Sequence, residues 1–497
     1  MTHRPILLLA FLATALCTAL STAQPMNAVL IVADDFGWAD IGANNPNCFY
    51  ETPNLDRLAA SGVNFTRGYA AAPVCSPTRV SIMSGVSPAL DAATEWFGEG
   101  PSRSERFLSA DRINHLPTAR PTIAEYHRAA GYETFFAGKW HLGGHERHLP
   151  QNRGFDVNIA GCDKGNPGWK GGYFAPYADF IGLDAPEGEH LPARLTDETI
   201  DWIRSRDGEQ PFLAVLSYYS VHTPLQGRED LVEKYRKRAA AMGLDQDDRY
   251  TDEEQIWPGN TARKVRIRQD NAVYAAMVEA MDEHIGRLLD SIDDAGLREN
   301  TIVMFVSDNG GLSTSEGSPT SNVPLRGGKG WLYEGGIRVP FMMRWPGVTE
   351  AGTTVGTAVH TSDIVPTILD ATGAGTHLRD GRFPPSRLEG VSLRRVVSAE
   401  PLDRALAFHY PHYGNQGGFP GGVLMRGDMK YILRYEDGKE QLFDLGADLG
   451  EQNDLAEARS ETVDQMRREL LGWLDRHHAR FLTAKPGGLN PWQPAVD

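Results

Sequence analysis

The stretches 28–33 (AVLIVA) and 302–306 (IVMFV) contain no polar residue at all. A strand that is apolar at every position has no face to offer water, so each run predicts a strand buried on both sides. That is the situation of a central strand in a parallel sheet with helices on either face. Runs at 134–137 and 212–216 read as further strands of this kind. Helical patterns lie between them. Val273, Met277, Ala280, Met281, Ile285 and Leu288 keep the spacing of a core-facing helix. Thr52-Pro53 opens a helix that Gly62 closes, and Pro121 opens another that Gly131 closes. The alternation predicts an α/β fold: a large mixed, mainly parallel sheet sandwiched by helices.

Near residue 400 the texture changes. Residues 423–425, 431–435 and 441–443 read as short antiparallel strands, followed by an amphipathic helix carrying Val463, Met466, Leu470, Leu471 and Leu474. The expected division is a main domain over 24–400 and a smaller C-terminal α+β subdomain over 401–497. Two polar, weakly periodic stretches, 91–114 and 228–261, read as insertions.

Residues 1–23 read as an export signal: a weakly basic start (His3, Arg4), an apolar run over 6–20, and Ser21-Thr22-Ala23 as the cleavage pattern. The expectation is a periplasmic or secreted product with no stable membrane insertion. Removing the leader takes Cys17 and leaves Cys48, Cys75 and Cys162, so at least one thiol stays unpaired and needs a reason. The formal charge of -16 argues against binding nucleic acid or an anionic membrane. It leaves room for a small anionic substrate held by a local cluster of Lys, Arg and His.

The ends of the two apolar runs carry the first chemical signal. Asp34-Asp35 follows one, and Ser307-Asp308-Asn309-Gly310 follows the other. Ligands bind beyond the carboxyl ends of strands in open parallel sheets. Three carboxylates and an amide carbonyl form an all-oxygen set that suits Ca²⁺, with Mg²⁺ as the alternative, and fits Zn²⁺ poorly.

The most specific signal is Cys75-Ser76-Pro77-Thr78-Arg79, a C-x-P-x-R pattern. With the two carboxylate motifs, Gly138-Lys139-Trp140-His141-Leu142-Gly143 and Gly327-Gly328-Lys329-Gly330 in this order, the chain resembles the type I, formylglycine-dependent sulfatases of the alkaline phosphatase superfamily, in their bacterial polysaccharide-sulfatase branch. The resemblance implies an alkaline phosphatase-like fold. It also implies that Cys75 is oxidised to Cα-formylglycine by a formylglycine-generating or anaerobic sulfatase-maturating enzyme. The metal would sit against Asp34, Asp35, Asp308, Asn309 and the modified Cys75. One departure is visible: Ser84-Gly85-Val86 stands where the family often has Thr-Gly-Arg, an accessory position outside the core motif.

The chemistry fits such a nucleophile. A thiol attacking a sulfate ester would form a species with no easy exit, whereas an aldehyde hydrate can attack with one oxygen and expel sulfate through the other. Arg79 lies four residues past Cys75, so a helix starting at the motif puts both on one side. By resemblance, Arg79 holds the hydrate and the metal-site carboxylates, Lys139 and Lys329 meet sulfate oxygens, and His141 drives release as a base. His222, in Tyr219-Ser220-Val221-His222-Thr223-Pro224, would protonate the departing sugar oxygen. His409, His412 and Arg338 are expected to bind substrate, a sulfated oligo- or polysaccharide such as a 4-sulfated galactose or N-acetylgalactosamine unit. A phosphoesterase or phosphonate hydrolase on the same scaffold, and an unmodified sugar-binding protein, remain alternatives at this level.

Overall fold

The structure is a computed structural model that describes residues 25–98, 106–244, 248–254, 263–376, 388–400 and 402–494. The expected leader at 1–23 lies outside the described residues. The run at 28–33 is the body of strand Asn27–Ala33, and every residue of it is buried. It pairs in parallel with Thr301–Ser307 on one side and Phe212–Ser217 on the other. Glu133–Gly138 and then Val157–Ile159 continue beyond Phe212–Ser217, both parallel. On the other flank Phe341–Arg344 runs antiparallel, followed by Val63–Phe65 and Thr353–Val355. The result is an eight-stranded, mixed, mainly parallel sheet.

Strand alternation then decides the two cores. Val29, Ile31 and Ala33 face the helices Leu191–Ser205 and Ala272–Asp294. Ala28, Leu30 and Val32 face the helices Cys75–Ser84, Ile123–Ala129 and Ile364–Thr372. Register fixes the rim where function can sit. Ala33 aligns with Ser307, Val32 with Ser217, and Gly138 with Ser217. Asp34, Asp308, Lys139 and Tyr218 therefore leave the sheet at one level. Gly138 is obligatory there: φ is +102°, and a Cβ would stand 1.9 Å from the Ser217 carbonyl oxygen.

Two expectations need correction. Pro121 does not open its helix. Thr122 does, because its Oγ1 accepts from the Glu125 N–H (3.1 Å) while the Glu125 carboxylate accepts from the Thr122 N–H (2.7 Å). That capping box satisfies two end donors, which proline cannot do. The stretch 228–261 is not wholly irregular either. Glu229–Ala241 is a helix that buries Leu231, Val232 and Tyr235, with the first two against Ala276 and Ala280. Its apolar stripe is so narrow among charges that periodicity scarcely registers.

The C-terminal residues form an antiparallel sheet of Leu406–Tyr410, Gly421–Arg426, Met429–Arg434 and Glu440–Asp444. One face packs Phe408, Val423 and Ile432 on Tyr69, Trp331 and Tyr333 of the main body. The other packs Leu424, Tyr431 and Leu442 on Val463, Met466, Leu470 and Leu474 of helix Ser460–Arg476. Buried charge crosses the seam: the Lys430 ammonium lies 3.0 Å from Glu334 and 2.8 Å from Glu451.

Several histidines are sealed in this core as neutral rings. Burial pushes His127, His284 and His360 down to about 4, and His190 and His409 to about 3. An unfolded histidine takes a proton near 6.5, so between there and about 4 the unfolded chain binds more protons and stability falls with pH. Burial raises Asp40 and Asp282 to about 6, which gives a smaller opposing gain as pH falls. Calorimetry is expected to show a lower thermal midpoint at about pH 5 than at about pH 7. A flat or rising midpoint would show that the buried acids outweigh the histidines.

Candidate active site

Asp34, Asp35 and Asp308 leave adjacent strands, and helix Cys75–Ser84 points its first residue at them. Ligand atoms of Asp34, Asp35, Cys75 and Asp308 all lie within 4.8 Å of one another. Cys75 Sγ is 3.7 Å from Asp34 Oδ1. Asn309 joins them: its Nδ2 donates to Asp35 Oδ1 (2.8 Å) and to the Gly310 carbonyl (3.0 Å), while its Oδ1 is buried with no partner among the described residues. An unpartnered buried amide oxygen beside three carboxylates is a donor set waiting for a hard cation. These residues fit Ca²⁺ or Mg²⁺.

Cationic side chains surround the acids. Arg79 Nε donates to Asp308 Oδ2 (2.8 Å), and Arg79 Nη1 donates to the Lys139 carbonyl (2.6 Å) and Ser217 Oγ (2.7 Å). Its Nη2 is buried without a partner among the described residues. Lys139 donates to Asp34 Oδ2 at 2.6 Å, and Lys329 donates to Asp35 Oδ2 at 2.9 Å. Burial and then the Asp308 charge drive the Asp34 carboxyl well above its ordinary range. Burial acts on Asp35 in the same sense, but Lys329, His222 and Lys139 outweigh it and hold that carboxyl low.

The two histidines are held in defined states. His141 Nε2 faces the Phe97 carbonyl oxygen at 2.8 Å. A carbonyl only accepts, so Nε2 carries the proton, and Nδ1 is left as a buried, unpartnered lone pair. Burial, then Lys139, keeps the ring neutral, with its pKa well below the usual value. His222 Nδ1 donates to the Thr223 carbonyl (2.8 Å), which aims Nε2 at Asp35 Oδ2, 3.7 Å away. Burial first, and Lys329 next, lower His222 to about 4.

A cleft of about 890 Å³ opens over this floor, and Cys75, His141, His222 and Lys329 line it. Lys139 is not among its lining residues; it sits behind Asp34. The cleft also shows residues that the sequence reading missed: Trp96, Phe97, Trp169, Glu316, Asn415 and Gln416. Glu316 ties the last two to the cleft, accepting from Asn415 Nδ2 (2.5 Å) and Gln416 Nε2 (3.0 Å). Trp169 had a usable signal, a large aromatic in the glycine-rich turn Gly165-Asn166-Pro167-Gly168-Trp169-Lys170-Gly171. Trp96 and Phe97 lie in the stretch 91–114 that reads as an insertion, and Glu316, Asn415 and Gln416 had no signal of their own.

His409, His412 and Arg338 are corrections. None lines the cleft. His409 lies on strand Leu406–Tyr410, where alternation turns it away from the Phe408 side, and it is engaged by Tyr435 Oη (2.8 Å) and the Arg480 carbonyl (3.0 Å). His412 is buried on Thr94 Oγ1 (2.8 Å). Arg338 donates to the Thr66 carbonyl (2.8 Å), pairs with Glu334 and covers the Trp38 ring.

Residues 26–374 match the family model described as Sulfatase, and 328–477 match that described as N-sulphoglucosamine sulphohydrolase, C-terminal. A sulfatase of Formosa agariphila is 30% identical over 533 residues, covering 92% of this chain and 90% of its own length. Human steryl-sulfatase is 30% identical over 489 residues, covering 82% and 75%. Among solved structures, Ps i-CgsB in complex with k-i-k-neocarrahexaose superposes with a TM-score of 0.71 at 26% identity, covering 91% of this chain and 93% of that one. By sequence and by fold, the chain belongs to the sulfatase family of the alkaline phosphatase superfamily and is a sulfuric ester hydrolase.

Proposed function

We propose that the chain is an exported sulfatase that removes sulfate from carbohydrate, with Cys75 matured to formylglycine and Ca²⁺ held by Asp34, Asp35, Asp308 and Asn309. The observation that carries this is the gathering of Cys75 and Lys329 on the floor of one cleft with three buried carboxylates, the Asn309 amide oxygen and Lys139 packed behind them. When bound, the cation neutralises charge on the sulfate, and the hydrated aldehyde at position 75 supplies the nucleophilic oxygen.

The chain's own residues do the rest. Lys329 brings a fixed positive charge to the cleft floor, where the anionic ester lies. Arg79 fixes Asp308 and the turn after Glu133–Gly138, so the acid cluster needs no rearrangement when substrate arrives. His141, protonated at Nε2 by its bond to Phe97, offers Nδ1 as the proton acceptor. His222 is neutral in the free site and takes its proton with the ester, whose negative charge offsets the Lys329 field. It then gives that proton to the departing oxygen. Sugar leaving groups need such an acid more than activated aryl groups do. The complex of Ps i-CgsB with k-i-k-neocarrahexaose supports a carbohydrate substrate.

The test is sulfate release from defined sulfated galactose and N-acetylgalactosamine saccharides, using protein co-expressed with a maturation enzyme. Release from none of them, alongside turnover of a sterol sulfate, would overturn the carbohydrate reading; faster turnover of aryl phosphate than aryl sulfate would overturn the sulfatase assignment of the site. In the same assay His222→Ala is expected to slow sugar sulfates roughly 10²-fold more than 4-nitrophenyl sulfate. Equal losses would remove the acid role.

A further inference from the structure

The floor of the cleft and its mouth differ in character. Cys75 and Lys329 at the floor are 3% and 4% exposed, whereas Trp169 at the mouth is 73% exposed. A ring that large, left in water, is unusual unless something covers it in use. Its backbone is firmly placed. Asn166 Oδ1 accepts from the Gly168 N–H (2.9 Å), and the Tyr173 N–H donates to Gln226 Oε1 (2.7 Å), fixing the turn on both sides of the tryptophan. Gly168 and Gly171 both have positive φ, and a Cβ on Gly171 would stand 2.2 Å from the Pro176 carbonyl oxygen. The turn that presents the exposed indole to the cleft is therefore fixed in place.

The cleft has about 890 Å³ of space, far more than a sulfate on one sugar ring occupies. The other groups at the mouth select between a flat apolar partner and a sugar. Asn166, Glu316 and Asn415 line the same cleft as Trp169, and the buried Gln416 is held by Glu316. A sterol lying on the indole would strip water from the Glu316 carboxylate and the part-exposed Asn166 and Asn415 amides without replacing its hydrogen bonds, a cost of the kind that excludes such ligands. A pyranose has a C–H face for the indole and hydroxyl edges for the amides. We propose that Trp169 is the stacking platform for the sugar ring next to the sulfated one, so that the cleft is built for a sulfated oligosaccharide and not for a single sulfated sugar. This rests on the carbohydrate reading above and extends it to a second ring.

The test compares Trp169→Ala and Trp169→Phe with wild type, on 4-O-sulfated N-acetylgalactosamine and galactose offered as monosaccharides and as hexasaccharides. Trp169→Ala is expected to cut the hexasaccharide-over-monosaccharide preference in kcat/KM about tenfold, or ~1.4 kcal/mol. The loss should fall in KM, and Trp169→Phe should restore most of it. An unchanged preference in Trp169→Ala, with wild type active on the hexasaccharide, overturns the platform and leaves the carbohydrate reading intact. Wild-type inactivity on every member of the set overturns that reading, and the platform with it.

Discussion

Cys75→Ala is expected to abolish sulfate release, with a loss of at least ~10⁴-fold, because it removes the only atom from which the covalent route can start. Binding should survive, since Lys329, Arg79 and the carboxylates do not depend on the side chain at 75 for their contacts. The more informative comparison is with unmodified wild type. Burial pushes the Cys75 thiol up to about 12, against the pull of Lys139 and Lys329. At neutral pH almost no thiolate exists, so the cysteine itself is a poor nucleophile. Protein made without a maturation enzyme should therefore match Cys75→Ala in activity and resist iodoacetamide at residue 75. Near-normal turnover by either form, measured as sulfate released, would end the nucleophile assignment.

Chelation should be equally complete. Asp34, Asp35 and Asp308 are almost wholly buried, and their mutual repulsion is answered by Lys139, Lys329 and Arg79. A divalent ion would offset that repulsion directly and satisfy Asn309 Oδ1. EDTA is expected to stop turnover and lower the thermal midpoint, and Ca²⁺ to restore both. An ion at 100 times its Kd contributes about 2.7 kcal/mol of stability. Asp308→Asn should weaken the response to Ca²⁺ in the thermal assay even where activity is too low to measure. Recovery with Zn²⁺ alone would contradict the oxygen donor set.

The parts of this fold that the sequence discloses are those where one physical demand acts alone. Residues 28–33 and 302–306 are apolar at every position because they are covered on both faces, and both are central strands. Strands Val63–Phe65, Phe341–Arg344 and Thr353–Val355 escaped notice because they are short and supply few residues to any pattern. The acid cluster was readable because carboxylates set directly after an apolar strand repel one another at a sheet rim and call for a cation. His409 misled because an aromatic, histidine-rich stretch looks like a sugar surface until pairing shows it to be a strand, with alternate residues consigned to opposite cores. Asn415 and Gln416 were invisible for the converse reason. They reach the cleft because residues far away in the chain hold them there: Glu316, 99 and 100 residues away, accepts from both side chains, and Arg263, Thr314 and Trp331 donate to their backbone carbonyls.

That last attachment has an evolutionary corollary. The acid cluster is carried on the ends of rigid strands and Cys75 on the first turn of a helix, while the outer wall of the cleft is lent by separate loops around 96, 169, 316 and 415. Descendants of such a protein can exchange the loops and acquire a new diet without disturbing how the ester is cleaved. A single lost carboxylate at the rim would silence every one of those diets at once.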